Sequence, residues 1–161
     1  MITQKLLKEY FYYLNGSLYW SFNKHYKAKK DQKAGCLAKN HRYRIIKIDG
    51  RPFAEHRAIF LYHNGYLPEF VDHIDGNTCN NKIENLRETT CSQNQYNSKT
   101  RKDSSTNIKN VRWHKASKKW IVSIKIDKKD KYFGIYEDIE LAELVAHEAR
   151  DKYHQNFARH K

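Results

Sequence analysis

Residues 71–94 read VDHIDGNTCNNKIENLRETTCSQN, and the reading of this stretch decides the rest. Phe70–Ile74 is a short strand that carries the adjacent polar pair Asp72-His73 among apolar neighbours. Asp75-Gly76-Asn77 and Asn80-Asn81 are turn formers, Gly for its conformational freedom and Asx for its side-chain bonds to nearby backbone. Ile83–Arg87 is a second short strand, and Thr89 or Thr90 can cap a helix running from about Cys91 to Lys99. The order is strand, loop, strand, helix.

The side chains suit phosphodiester chemistry. Hydrolysis needs a base to take a proton from water, and a cation to neutralise charge on the phosphate and the departing oxygen. A neutral imidazole such as His73 works as a base near neutral pH. A hard divalent cation takes oxygen ligands, and Asp72 and Asn94 offer a carboxylate and a carboxamide oxygen. Periodicity alone does not put Asp72 and His73 in one site, because neighbours on a regular strand point to opposite faces. Either the strand is irregular there or the site wraps its end.

Working outward, the whole chain is strongly basic. It has 161 residues, a formal charge of +13, a pI near 9.6 and 39% hydrophobic residues. Such an excess of Lys and Arg points to a polyanion, held through released counterions. The apolar content is lean for one large core, which favours two small units. No apolar run is long enough for a membrane-spanning helix, and the N-terminus has no signal-peptide pattern, so a cytoplasmic protein is expected. Cys36, Cys79 and Cys91 form no CxxC pair and read as reduced thiols; a soft-metal site is disfavoured.

In the N-terminal third, Leu6, Leu7, Tyr10, Phe11 and Leu14 recur at helical spacing, so a helix is expected over 3–14, stopped by Asn15-Gly16. Ser17–Phe22 alternates as a strand, with Leu18, Trp20 and Phe22 on one face. Lys24–Lys39 is a basic loop, and Lys24–Arg51 holds ten Lys/Arg against two Asp. The following strand puts Tyr43 and Ile45 on one face and Arg42, Arg44, Ile46 and Ile48 on the other; Asp49-Gly50 turns it into a hairpin. Tyr26 and Tyr43 interleave with these bases, which favours contact with a phosphate backbone. Glu55–Asn64 reads as a helix with Ala58, Ile59, Tyr62 and Leu61 inward, ended by Gly65. His56 on that helix is read as structural, or with Arg57 as a phosphate contact.

Beyond the central stretch, 97–107 is a polar linker, and three strand-like runs and one helix follow. Trp120, Val122, Ile124 and Ile126 share one strand face, and Gly134 permits a close approach. Asp138 caps a helix whose Ala142, Val145, Ala146, Ala149 and Tyr153 form a stripe. Lys99–Lys131 holds twelve Lys/Arg and three Asp, whereas 137–151 holds six acids and Arg150. A basic sheet backed by an acidic helix turns the sheet toward DNA.

DHIDGN, IENLR and the final QN together resemble the HNH endonucleases, specifically the homing type carried by phages and introns. The resemblance implies an α+β protein with a ββα-metal core and, in that family's terms, His73 as general base and Asn85, twelve positions later, as a loop brace. It implies Asp72 and Asn94 as ligands of one Mg²⁺ or Mn²⁺, an H-N-N variant with Asn94 at a position often occupied by His. The C-terminal unit resembles the AP2/ERF DNA-binding domain through Asn110-Val-Arg112-Trp-His114, Lys119-Trp120, Ile124-Lys125 and Tyr132-Phe-Gly134. That implies a three-stranded antiparallel sheet on one helix, with Lys109, Arg112, His114, Lys125 and Tyr132 toward DNA. Asn110 departs from the usual Gly, so base preference does not carry over. The expected domains are 1–101, comprising a basic region 1–66 and a nuclease core 67–100, and 102–161. The expected protein is a monomeric, metal-dependent double-strand DNA endonuclease, of a phage if the resemblance holds, which nicks one strand per binding event. Arg42, Arg44 and Arg57 would add DNA contacts. The rivals are an inactive DNA-binding factor and an RNA-binding protein.

Overall fold

In the computed structural model, residues 2–38, 43–100, 104 and 106–160 are described. Arg42 lies outside them. They form two compact units, Met1–Thr89 and Thr90–Lys161.

The first unit begins with helix α1, Gln4–Tyr10, capped by the Thr3 hydroxyl, which accepts from the Leu6 N–H. The helix is shorter than its apolar spacing predicts. Phe11–Leu14 is instead strand β1, paired antiparallel with β2, Ser17–Trp20. Asn15 and Gly16 have φ of 46° and 79°, the left-handed pair of a two-residue hairpin turn. An Asn-Gly pair ends a helix or closes a hairpin equally well, and the aromatic run Phe11-Tyr12-Tyr13 tips the choice to strand. Tyr12 stacks on its cross-strand partner Tyr19 with ring centroids 5.5 Å apart. On the opposite face, Phe11, Leu18 and Trp20 are buried.

A three-stranded sheet follows, in the order β3 (Cys36–Leu37), β4 (Arg44–Ile48) and β5 (Arg51–Ala54). Asp49-Gly50 makes the expected hairpin turn. Ile46 and Ile48 are buried. Helix α2, Glu55–Asn64, starts directly from β5 and ends where Gly65, at φ 79°, donates its N–H to the Leu61 carbonyl. Its Ala58, Ile59 and Leu61 join Leu7, Phe11, Leu18, Ile46, Val71 and Leu86 in one core.

Against this core lies the hairpin-like pair β6 (Phe70–His73) and β7 (Leu86–Thr89). Their register sets Asp72 opposite Arg87 and His73 opposite Leu86. The second strand starts later than its apolar pattern suggested, because Ile83–Asn85 is a 3-10 turn.

In the second unit, helix α3, Cys91–Tyr96, opens with a capping box between Thr90 and Gln93. Strands β8 (Val111–His114), β9 (Lys119–Ile126) and β10 (Lys129–Tyr136) form an antiparallel meander. Helix α4, Ile139–His154, is capped by the Asp138 carboxylate and packs on the sheet. Its small Ala142, Ala146 and Ala149 are buried, as are Val111, Val122 and Ile124 on the facing strands. Gly134 sits at a bulge in β10, where a Cβ would lie 2.6 Å from the Tyr136 hydroxyl.

By contacts the chain divides at 89/90, so α3 is grouped with the C-terminal elements. Within the second unit, the Tyr96 ring stacks on His154 at 3.8 Å, and the Tyr96 hydroxyl accepts from the Asp127 N–H. A polar linker begins after α3, but the helix has already taken its packing partners from the C-terminal unit.

Candidate active site

The loop between β6 and β7 has few ladder bonds, so side chains must hold it. Asn85 does most of this. Its Nδ2 donates to Asp75 Oδ1 at 2.9 Å and to the Asn80 carbonyl at 2.8 Å, and its Oδ1 accepts from the Asp75 N–H at 3.0 Å. Asp75 also accepts from the Asn77 N–H and from Asn80 Nδ2, both at 2.8 Å. These donors draw the Asp75 carboxyl below the ordinary carboxylate range, although partial burial acts in the opposite direction and is the largest single influence.

His73 ends β6 and is buried, at 4% exposure. Its Nε2 lies 2.8 Å from Asn81 Oδ1. Asn81 Nδ2 in turn donates to Glu55 Oε2 at 3.1 Å. Glu55, fully buried at the start of α2, accepts from the Leu18 N–H at 3.2 Å. Arg44 Nε lies 3.2 Å from Glu55 Oε2 as an ion pair, without a linear hydrogen bond. Burial raises the Glu55 pKa above the ordinary carboxylate value, and the Leu18 N–H, Arg44, Lys33 and Asn81 pull it back.

His56 packs beside His73, with ring centroids 5.1 Å apart, and Tyr43 lies 5.1 Å from the His56 ring. Burial, with the neighbouring His73 and Arg57 adding to it, lowers the His56 pKa to about 3. His56 is therefore a neutral ring at the wall of the site.

Asp72 is also buried, and its Oδ2 accepts from Arg87 Nε at 3.1 Å and Nη2 at 3.0 Å. The strand is regular here, with Asp72 opposite Arg87 and His73 opposite Leu86. Asn94 stands in the second turn of α3, exposed, in the other unit. A carboxylate and a carboxamide are hard oxygen donors and fit Mg²⁺ or Mn²⁺ in kind. Among the described residues no group of three or more His, Cys, Asp or Glu could hold a metal ion.

Several expected DNA contacts have other partners. Arg44 turns inward to Glu55 and also donates to the Ala34 and Gly35 carbonyls. Arg57 donates to the Pro68 and Glu69 carbonyls, tying down the loop after α2. Lys109 does not stand on the sheet's outer face, because its ammonium donates to the Tyr96 and Ser98 carbonyls. Burial, then Arg150 and Arg159 nearby, lowers the Lys109 pKa to about 8. Arg112, His114, Lys125 and Tyr132 are exposed, and the pairing of Arg112 with Ile121 and Tyr132 with Ser123 sets them on the face away from α4.

Sequence reasoning missed Glu55, Asn81 and Arg87. Asn81 was visible only as a turn former, and Glu55 only as the first residue of a helix. Arg87 becomes the partner of Asp72 only once the register across the loop is known.

A family model described as HNH endonuclease matches residues 53–96. The chain is also 31% identical over 106 residues to Protein 3.8 of Escherichia phage T7, covering 65% of this chain and 87% of that protein. The chain belongs to the HNH endonuclease family. The family match begins in β5 and ends with Tyr96, so it takes in His73, Asn85 and Asn94 together. No solved structure matches. Among the described residues, no helix is long and apolar enough to cross a membrane.

Proposed function

We propose that this HNH protein is a metal-dependent endonuclease of double-stranded DNA, of the homing type, which nicks one strand per binding event. The observation that carries the reading is a buried imidazole, His73, beside a loop that Asn85 braces with three hydrogen bonds. A base must be held still to act on a particular water, and this loop holds it. His73 accepts the proton of the attacking water. Asp72 and Asn94 would hold one Mg²⁺ or Mn²⁺, which when bound supplies positive charge to the phosphate and the leaving oxygen. Arg87 holds the Asp72 carboxylate in place through Nε and Nη2.

The exposed face bearing Arg112, His114, Lys125 and Tyr132 would grip the duplex in the manner of an AP2/ERF sheet, with the nuclease domain drawn from 1–101 and the binding domain from 102–161. One site with one base suits a monomer that cuts one strand, in the cytoplasm of a bacterium if the gene is a phage's. The expected test is supercoiled plasmid with Mg²⁺, with EDTA, and with His73→Ala. Conversion to open circle that requires Mg²⁺ and His73 supports the nuclease. Binding without conversion, equal for both proteins, would make the chain an inactive DNA-binding factor.

A further inference from the structure

We infer that Glu55 and Asn81 are positioning residues for His73: the buried carboxylate orients the carboxamide, and the carboxamide holds the imidazole in the tautomer protonated on Nε2. The inference rests on the reading of His73 as the base and says how that base is prepared.

A carboxamide looks the same from either end, so its direction has to be decided by its partners. Glu55 has the Leu18 N–H 3.2 Å from Oε1, and Arg44 Nε and Asn81 Nδ2 at 3.2 Å and 3.1 Å from Oε2. Two N–H donors and the Arg44 guanidinium around a fully buried carboxyl group call for the ionised form, which can only accept. The NH₂ end of Asn81 therefore faces Glu55, and its oxygen faces His73. An oxygen 2.8 Å from Nε2 requires a proton on that nitrogen. A neutral imidazole carries one N–H, so the lone pair that takes a proton belongs to Nδ1. Glu55 and Asn81 thus select which edge of His73 is basic, without touching substrate.

The surroundings hold each member in place. Asn81 is 2% exposed. The next two residues are held by the β1–β2 hairpin: the Ile83 N–H donates to the Tyr13 hydroxyl at 3.1 Å, and a Cβ on Gly16 would meet Lys82 N at 2.9 Å. The same hairpin provides the Leu18 N–H that Glu55 accepts. One element therefore steadies both ends of the Glu55–Asn81 link. A buried acid used only to satisfy one backbone N–H would not need a carboxamide to reach the imidazole.

The test is nitrogen-15 NMR of the full chain with labelled histidine, in EDTA, at a pH where the imidazoles are neutral. His73→Gln identifies the His73 signals. The expected wild-type spectrum shows His73 protonated on Nε2. Asn81→Ala is expected to give mixed tautomers and to lower the kcat of plasmid nicking on the order of tenfold to a hundredfold, within the roughly 10²–10⁴ that a general base supplies, with KM unchanged. The exchanged pair Glu55→Gln with Asn81→Asp reverses the donation between 55 and 81 but keeps an acceptor oxygen facing Nε2, and is expected to restore the Nε2–H tautomer. A wild-type His73 protonated on Nδ1, or an Asn81→Ala protein with an unchanged tautomer, overturns the inference. Should Asn81→Ala not fold, the wild-type and exchanged-pair spectra still decide. Because the tautomer is read without metal or DNA, an absence of nicking would count against the nuclease reading alone.

Discussion

In the unit spanning residues 1–89 the polar side chains of interest lie inside: Glu55, His56, Asp72, His73 and Asn81 are all buried. In the unit spanning 90–161 the comparable groups, Arg112, His114, Lys125 and Tyr132, lie on the open face of a sheet. The difference suits the two tasks proposed above. A base acts on one atom and needs a fixed direction, which buried partners give it. A surface that meets a phosphate backbone gains by counterion release, and its cations must stay in solvent until then. Basic residues divide the same way. Arg44, Arg57, Arg87, Lys109 and Arg150 are engaged with carboxylates or carbonyls of their own chain. The formal charge of +13 therefore overstates what is available to DNA.

The comparison breaks most visibly at His73. His73→Ala is expected to reduce nicking by roughly 10²–10⁴ while leaving gel-shift affinity for duplex unchanged. A matched loss of binding would mean that the inner site also grips DNA.

Next in size is Glu55→Ala. It leaves Arg44 without its counter-ion and the Leu18 N–H without its acceptor. The cost should be about 3 kcal/mol, the low end for a broken buried pair because Arg44 keeps some solvent. Denaturant unfolding should show the loss in the first unit and not in the second.

His56 gives a pH dependence of definite sign. Its folded pKa is about 3 against an ordinary 6.5, so between those values the unfolded chain binds the extra proton. The stability it contributes is present above the unfolded pKa and is lost as pH falls from about 6.5 toward 3, by at most about 1.4 kcal/mol per pH unit. Glu55, with its raised pKa, acts oppositely: its contribution is full below the ordinary carboxylate range and declines as pH rises through its folded value. The His56 part is therefore read as the difference in acid-side slope between wild type and His56→Phe, by thermal melts across that range.

The smallest effects sharpen the outer surface. Arg112→Ala and Lys125→Ala should each weaken duplex binding modestly and reduce the salt slope by about one where the residue contacts a phosphate. Lys109→Ala should lower the melting temperature and leave that slope alone, because its ammonium holds two carbonyls.

What could be read without coordinates was local. The Asp49-Gly50 hairpin, the Gly65 stop of α2, the Asp138 cap and the alanine stripe of α4 all follow from residues close together in the chain. The Asn85 brace was implied by the family resemblance, and its partners Asp75 and Asn80 lie within ten positions. Phe11–Leu14 misled because a helix spacing of five apolar residues also allows a helix that stops and a strand that starts. Its Asn-Gly pair is compatible with both, and only the cross-strand partners Tyr19 and Trp20 select the hairpin.

The sequence by itself determined the turn chemistry, the residue types of the site and the sign of the charge. Tertiary structure alone decided the partners: that Asn81 and Glu55, 26 positions apart, meet next to His73, that Arg87 faces Asp72, and that Lys109 serves two carbonyls. The physical reason is range. Turns and caps are satisfied by backbone a few residues away, whereas a buried charge or amide takes whichever partner the packed core brings within about 3 Å.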